Sequence, residues 1–175
     1  MGTRSRIGVM HGDKCKSIYC HWDGYLAHNG AILQEHYDSA RANNLVALGD
    51  MSSLDKLIGE AHPFSQYHTK NDELSDEENA RIEAENKAAY EAARAAGWST
   101  FYGRDRGETG VDFRVSHTFD EFLELCEYTG AEYYYVMKDG VWYCGDVYDT
   151  DTGRSSISRK LTVLTEALAN EKELA

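Results

Sequence analysis

Alternating apolar and polar residues, folded back at tight-turn sequences, constrain this chain more than any other feature. The clearest case flanks Lys138-Asp139-Gly140. There EYYYVM (132–137) and VWYCGDVY (141–148) have the two-residue period of strands, and Asp-Gly suits a tight hairpin turn. RSRIGVM (4–10), the turn sequence HGDK (11–14) and CKSIYCHW (15–22) repeat the pattern near the start. WSTFYGR (98–104) and FRVSH (113–117), the latter with Phe113 and Val115 directed inward, read as two more strands around a glycine-rich turn. Hairpins alternate with helices, and no long parallel crossovers are evident. This predicts one α+β domain over 1–175, an antiparallel sheet of hairpins covered by helices on one face.

The helices are marked by their ends. Thr118 and Glu121 form a capping box before Phe119, Phe122, Leu123 and Cys126, which share one helical face, and Gly130 stops the run. Leu33, Tyr37 and Ala40 form a stripe that starts near Asn29 and breaks at Asn43-Asn44, with a short helical turn, LVALGD, beyond. Ser53 reads as the cap of a short helix carrying Leu54, Leu57 and Ile58, and a terminal helix from about Ser158 carries Leu161, Leu164 and Leu168. The segment 69–97 differs in kind. Ser75 and Glu78 form a second capping box and Gly97 a stop, but Ile82 and Tyr90 are the only large apolar residues between them. Eight acids and three bases fall within 72–97. So thin a stripe cannot lie deep in a core, so 69–97 reads as an inserted acidic helical appendage, on the surface or at a partner contact.

The whole chain shares that sign: 18 Lys and Arg stand against 30 Asp and Glu, a net charge of −12. Such a surface disfavours non-specific nucleic-acid binding. No run approaches the roughly 20 apolar residues of a membrane span, and the first residues lack an apolar signal core, so a cytoplasmic protein is expected. Cys15, Cys20, Cys126 and Cys144 show no C-x-x-C spacing and read as free buried thiols, with Cys15 and Cys20 on opposite faces of one strand. The histidines lack metal-ligand spacing, and no phosphate loop, nucleophile elbow or dinucleotide fingerprint occurs. Neither a metal, a cofactor nor a catalytic nucleophile is expected.

Two segments concentrate side chains suited to binding. In YCHWDGY (19–25), strand alternation sets Tyr19, His21 and Asp23 on one side, while Trp22 and Tyr25 offer faces for a planar ring. The same residues also fit a strand end with a packed tryptophan and an Asp-Gly turn. In YGRDRGE (102–108), Arg104 and Arg106 flank Asp105 and, in an extended chain or turn, point the same way. Paired guanidiniums grip phosphate or carboxylate; alternatively each pairs with Asp105, Glu108 or Asp112 and fixes the loop.

MGTRS (1–5), IYCHWDGY (18–25), HPFS (62–65), YGRDRGE and EYYYVMKDGVWY (132–143) together resemble a family of small proteins carried by bacteriophages and prophages. Such proteins often have proline after W-D-G-Y, where Leu26 stands here. The resemblance implies an accessory role in the cytoplasm of an infected bacterium, such as host takeover or counter-defence, and brings no activity with it. Three functions stay open. In one, His21, Trp22, Asp23, Tyr25, Tyr102, Arg104 and Arg106 form a pocket that sequesters an anionic, nucleotide-derived immune signal. In another, Glu77, Glu78, Glu83 and Glu85 present the acidic helix to a basic groove on a host or defence protein. In the third, His21 with Asp23 acts as the base of a hydrolase for a small anionic ligand. Strand edges and Tyr133–Tyr135 would also suit a homo-oligomer.

Overall fold

The computed structural model describes residues 2–147 and 161–174. The first hairpin is β1 (Ser5–His11) and β2 (Lys14–Cys20); a π-helical turn at Leu26–Gly30 then runs into α1 (Ala31–His36), α2 (Ser39–Ala47) and β3 (Met51–Ser53). The long helix α3 (Asp76–Ala96) leads to β4 (Thr100–Phe101), α4 (Tyr102–Arg106) and β5 (Arg114–Ser116). After α5 (Phe119–Tyr128) come β6 (Tyr133–Lys138), β7 (Val141–Asp146), β8 (Thr162–Val163) and α6 (Leu164–Leu174). The strands make one mostly antiparallel sheet in the order β4-β3-β2-β1-β6-β7-β8, with β5 sharing the outer edge of β2 with β3. The fold is α+β, as the hairpin pattern predicts. Within it, β1 runs parallel to β6 and β2 meets β3 in parallel. No helix among the described residues is long and apolar enough to cross a membrane.

Helices cover both faces of the sheet, not one. The reason is visible in the central strands, which are apolar on each side. Ile7, Val9, Ile18, Cys20, Tyr135 and Met137 pack with Leu33 of α1, Leu45 and Val46 of α2 and Leu164 of α6. The alternate residues Met10, Cys15, Tyr134 and Val136 pack with Phe122, Leu123 and Cys126 of α5. Ile7 sits at the centre, opposite Ile18 on β2 and Tyr135 on β6. Around the hairpin turn Asp139 and Gly140 take φ of 51° and 79°, the two positive angles that Asp-Gly signals.

Several local expectations shift. The first helical stripe breaks at Tyr37–Asp38 because Asp38 caps α2, its carboxylate accepting from Arg41 N–H at 2.8 Å; Asn43 and Asn44 lie inside α2. Ser53 ends a strand instead of capping a helix. Leu57 beyond it stays extended, bridging to Trp98 and exchanging backbone hydrogen bonds with Gly97 and Ser99. Val115 is exposed, while Phe113 packs against the core. The terminal helix starts at Leu164, later than expected: Leu161 precedes it and Thr162–Val163 form β8, while Ser158 itself lies outside the described residues.

The acidic helix forms where its capping signals put it. Ser75 accepts from Glu78 N–H, and Gly97 closes the helix at φ 77°. It lies in the excursion between β3 and β4, which pair with each other. Polar side chains, more than apolar ones, hold it down. Asn79 donates to the carbonyls of Asn71, Leu74 and Ser75 and accepts from Asn71 N–H, and Asn86 donates to Ser65 and Tyr67 carbonyls.

All four cysteines are free and buried. Burial pushes the Cys20 thiol up to about 11 and those of Cys15 and Cys144 up to about 12, and it raises Cys126 as well. At about pH 8 the native protein should therefore leave Ellman's reagent unreacted, whereas denatured chain titrates four thiols promptly, because only thiolates attack. Rapid reaction of any thiol in the native state would contradict this packing.

Candidate functional site

The segments singled out in the sequence meet in space as two assemblies. In the first, residues 2–5 run beside the YCHWDGY turn. Gly24 N–H donates to Thr3 O at 2.8 Å, and Gly2 backs onto Trp22 so closely that an added Cβ would lie 2.8 Å from its ring. The buried Asn29 amide donates to Ser5 Oγ and Trp22 O, and Tyr135 OH donates to Gly24 O at 2.6 Å. Held from beneath, Trp22 stays 44% exposed. Asn29 Oδ1 can only accept, so the 2.9 Å contact with His28 Nδ1 makes that nitrogen the donor and leaves Nε2 as an acceptor in the neutral ring.

The second assembly joins HPFS to YGRDRGE through Asp105, whose side chain is fully buried. Asp105 accepts from Phe101 N–H (2.7 Å), His62 N–H (3.1 Å) and Arg104 Nε (2.9 Å). Its reach back to Phe101, the residue that opens α4, makes residues 102–106 helical, whereas the sequence pattern reads a strand as far as Arg104. In a helix, side chains two apart diverge by about 200°. Arg104 and Arg106 consequently do not point the same way. Arg104 turns inward over the Phe101 ring and donates to Ile58, Gly59 and Ser99 carbonyls, so it is engaged internally. Arg106 turns outward, lies over the rings of Phe64 and Tyr102 at 4.4 and 4.9 Å, and donates to Glu108.

Between the two assemblies lies a cleft of about 390 Å³. Trp22, Asp23 and His28 come from the first, Phe64 from the second, Ser52–Asp55 and Thr100 from β3, β4 and their continuation, and Tyr90 and Arg94 from the end of α3. Of the residues singled out in the sequence, Trp22 and Asp23 line it. Tyr25 stands beside it, its ring 6.0 Å from that of His28. Tyr102 backs Phe64 at 5.6 Å. His21 faces elsewhere: its Nδ1 lies 2.7 Å from Tyr19 OH, and desolvation and the nearby Arg4 charge hold its pKa below the usual value. The strand ends at Cys20 and Asp23 takes φ 55°, so alternation does not carry Asp23 to His21's side. Arg94, over the Tyr90 ring at 5.8 Å, is the cation in the cleft. It hid in the acidic run, where its place three residues before the Gly97 stop was the available signal.

A larger cleft of about 510 Å³ borders Tyr37 and Trp142, but both rings are buried and Trp142 Nε1 already donates to Tyr37 O. It offers no open aromatic face. The acids of α3 do not form one surface either. Glu78 and Glu85 share a flank, Glu77 points straight away from the packed side, and Glu83 lies on the other flank, as helical spacing requires. Among the described residues no His, Cys, Asp and Glu group could hold a metal ion. Comparison with protein-family models, curated proteins and solved structures finds no match to this chain.

Because removing one partner of a buried charge pair leaves the other uncompensated, Asp105→Ala should cost about 3–5 kcal/mol of stability in urea unfolding. Glu108→Ala, at the exposed pair with Arg106, should cost under about 1 kcal/mol. Equal losses would show that Asp105 is not the anchor.

Proposed function

We propose that this chain is a phage accessory protein that acts by binding, sequestering a small nucleotide-derived immune signal in the Trp22 cleft. The observation that carries the reading is the cleft itself. Separate segments deliver three aromatic rings and one guanidinium to a space within the roughly 300–1,000 Å³ of small-molecule sites. Trp22, Phe64 and Tyr90 suit a planar base. Arg94 suits a single phosphoryl group, and Asp23 and Asp55 accept from ribose hydroxyls or base N–H groups. With two carboxylates beside one cation, the cleft favours a ligand of low net charge over a polyphosphate. Arg104 serves the wall, not the ligand.

Binding without turnover fits better than hydrolysis, because His21 is paired with Tyr19 and has no carboxylate orienting it from Asp23. The dispersal of Glu77, Glu78, Glu83 and Glu85 around α3 gives the protein-inhibitor reading no single docking face.

Isothermal titration against a panel of cyclic nucleotides and ADP-ribose derivatives should reveal one ligand bound tighter than millimolar and recovered intact after denaturation. Trp22→Ala should weaken it by about 1–3 kcal/mol through lost stacking, and Arg94→Ala by a similar amount through a lost charged hydrogen bond. No binding across the panel rejects the reading, and a cleaved ligand replaces sequestration by catalysis.

A further inference from the structure

A second cluster lies on the sheet face that carries Ser17 and Tyr19. Register places Arg6 of β1 opposite Tyr19 of β2, and Arg114 of β5 opposite Ser17, so three adjacent strands display these residues on one side. Arg6 is 1% exposed. Its Nε donates to Ser17 Oγ at 3.0 Å and its Nη2 to Ser17 O at 3.1 Å. Nη1 has no hydrogen-bond partner among the described residues, yet no fully sealed side-chain nitrogen or oxygen there lacks one. Nη1 is therefore not fully sealed, and Arg6 lines a cavity of about 250 Å³ together with Tyr19, Asp50, Arg114 and Thr129.

The charges around this cavity are uneven. Arg4 stands near it, close enough to Gly130 that a Cβ there would lie 2.9 Å from Arg4 Nη1, and its charge acts on Tyr19 and His21. Among the described residues none of Arg4, Arg6 and Arg114 forms an ion pair. Asp50 is the carboxylate in the lining, and it already accepts from Tyr19 N–H at 2.9 Å. Arg6 and Arg114 against Asp50 in the lining, with Arg4 and Asp112 acting from nearby, leave one positive charge in excess, in a chain whose net charge is −12. Burial lowers the pKa of Arg6, but a guanidinium stays charged, so its buried charge calls for a counter-ion. Thr129 Oγ1 donates to Leu125 O, which leaves the guanidiniums as the donors for a guest.

We infer that this cavity binds a phosphoryl group, gripped by Arg6 Nη1 and Arg114 with Arg4 nearby. The site is separate from the Trp22 cleft and independent of it. The cavity is smaller than the roughly 300 Å³ at which whole-ligand clefts begin, which suits a headgroup and not a complete nucleotide. Tetrahedral oxyanions match the planar fork of arginine better than a halide does.

Calorimetric titration at constant ionic strength tests this with inorganic phosphate and with glycerol 3-phosphate, which has no ring to stack on Trp22. Both should bind, and the tighter of the two identifies the source as free phosphate or a monoester. Arg114→Gln, an exposed substitution, should weaken phosphate about tenfold or more, as expected for a lost charge-assisted hydrogen bond. Asp50→Asn should tighten it, since the amide still accepts from Tyr19 N–H while the competing charge is gone. Lys87→Gln on α3, which removes one positive charge as Arg114→Gln does, should leave it unaltered. The bound anion should also shift the Nε–H resonance of Arg6. Absence of phosphate binding by the wild type up to tens of millimolar, or no tightening in Asp50→Asn, overturns the proposal.

Discussion

Much of this structure hangs on one buried carboxylate. Asp105 gathers two backbone N–H groups and a guanidinium inside the protein, and through Arg104 it extends to three more carbonyls. A carboxylate taken fully out of water is tolerable only when its acceptor positions are filled in this way. The consequence is architectural. Residues 58–62, which have no helix or strand of their own, are tied to the start of α4, and Phe64 just beyond them is placed against Tyr102. One wall of the candidate cleft thus rests on an ion pair in its foundation.

The opposite wall is built by other means. The turn carrying Trp22 is supported by backbone pairing with the first residues and by the Asn29 amide, which bonds in several directions at once. The roof, α3, is fastened by Asn79 and Asn86. Asparagine can satisfy loop carbonyls and N–H groups together, so it substitutes for the apolar stripe that this helix lacks. An Ala- and Glu-rich helix would otherwise have little to keep it against the protein.

The parts of the fold legible in the sequence were those set by local chemistry. N-caps at Ser75 and Thr118, the Asp-Gly hairpin and the apolar alternation of β1, β2, β6 and β7 depend on neighbours a few residues away, and they hold. The helix boundary at Asp38 was missed because Asn43-Asn44 looked the stronger breaker, yet Asn43 finds an acceptor in Ser39 O within the helix. YGRDRGE failed for a different reason. Whether two arginines two apart converge or diverge depends on strand or helix, and the Asp105 carboxylate that accepts from Phe101 N–H in the helical form is also held by His62 N–H, which is distant in sequence. Trp22 and Asp23 could be picked out because their segment is unusual in composition. Arg94 offered only its place just before the Gly97 stop, and Arg6 offered nothing, since no local pattern distinguishes an arginine in a central strand from a solvated one.

Strong overall acidity and local anion binding are compatible because they act at different ranges. Screening confines a surface charge to about 10 Å at 0.1 M salt. A phosphoryl group within contact of Arg94, or of Arg6 and Arg114, therefore responds mainly to those guanidiniums. A nucleic-acid polymer crossing the surface meets many of the chain's 30 acidic side chains at once. The same charge distribution is thus compatible with the small anions proposed and unfavourable to long ones. Were the two proposed sites to hold small anions, the acidic surface around them would keep polymeric anions from competing, and the arginines free of ion pairs among the described residues would supply the attraction.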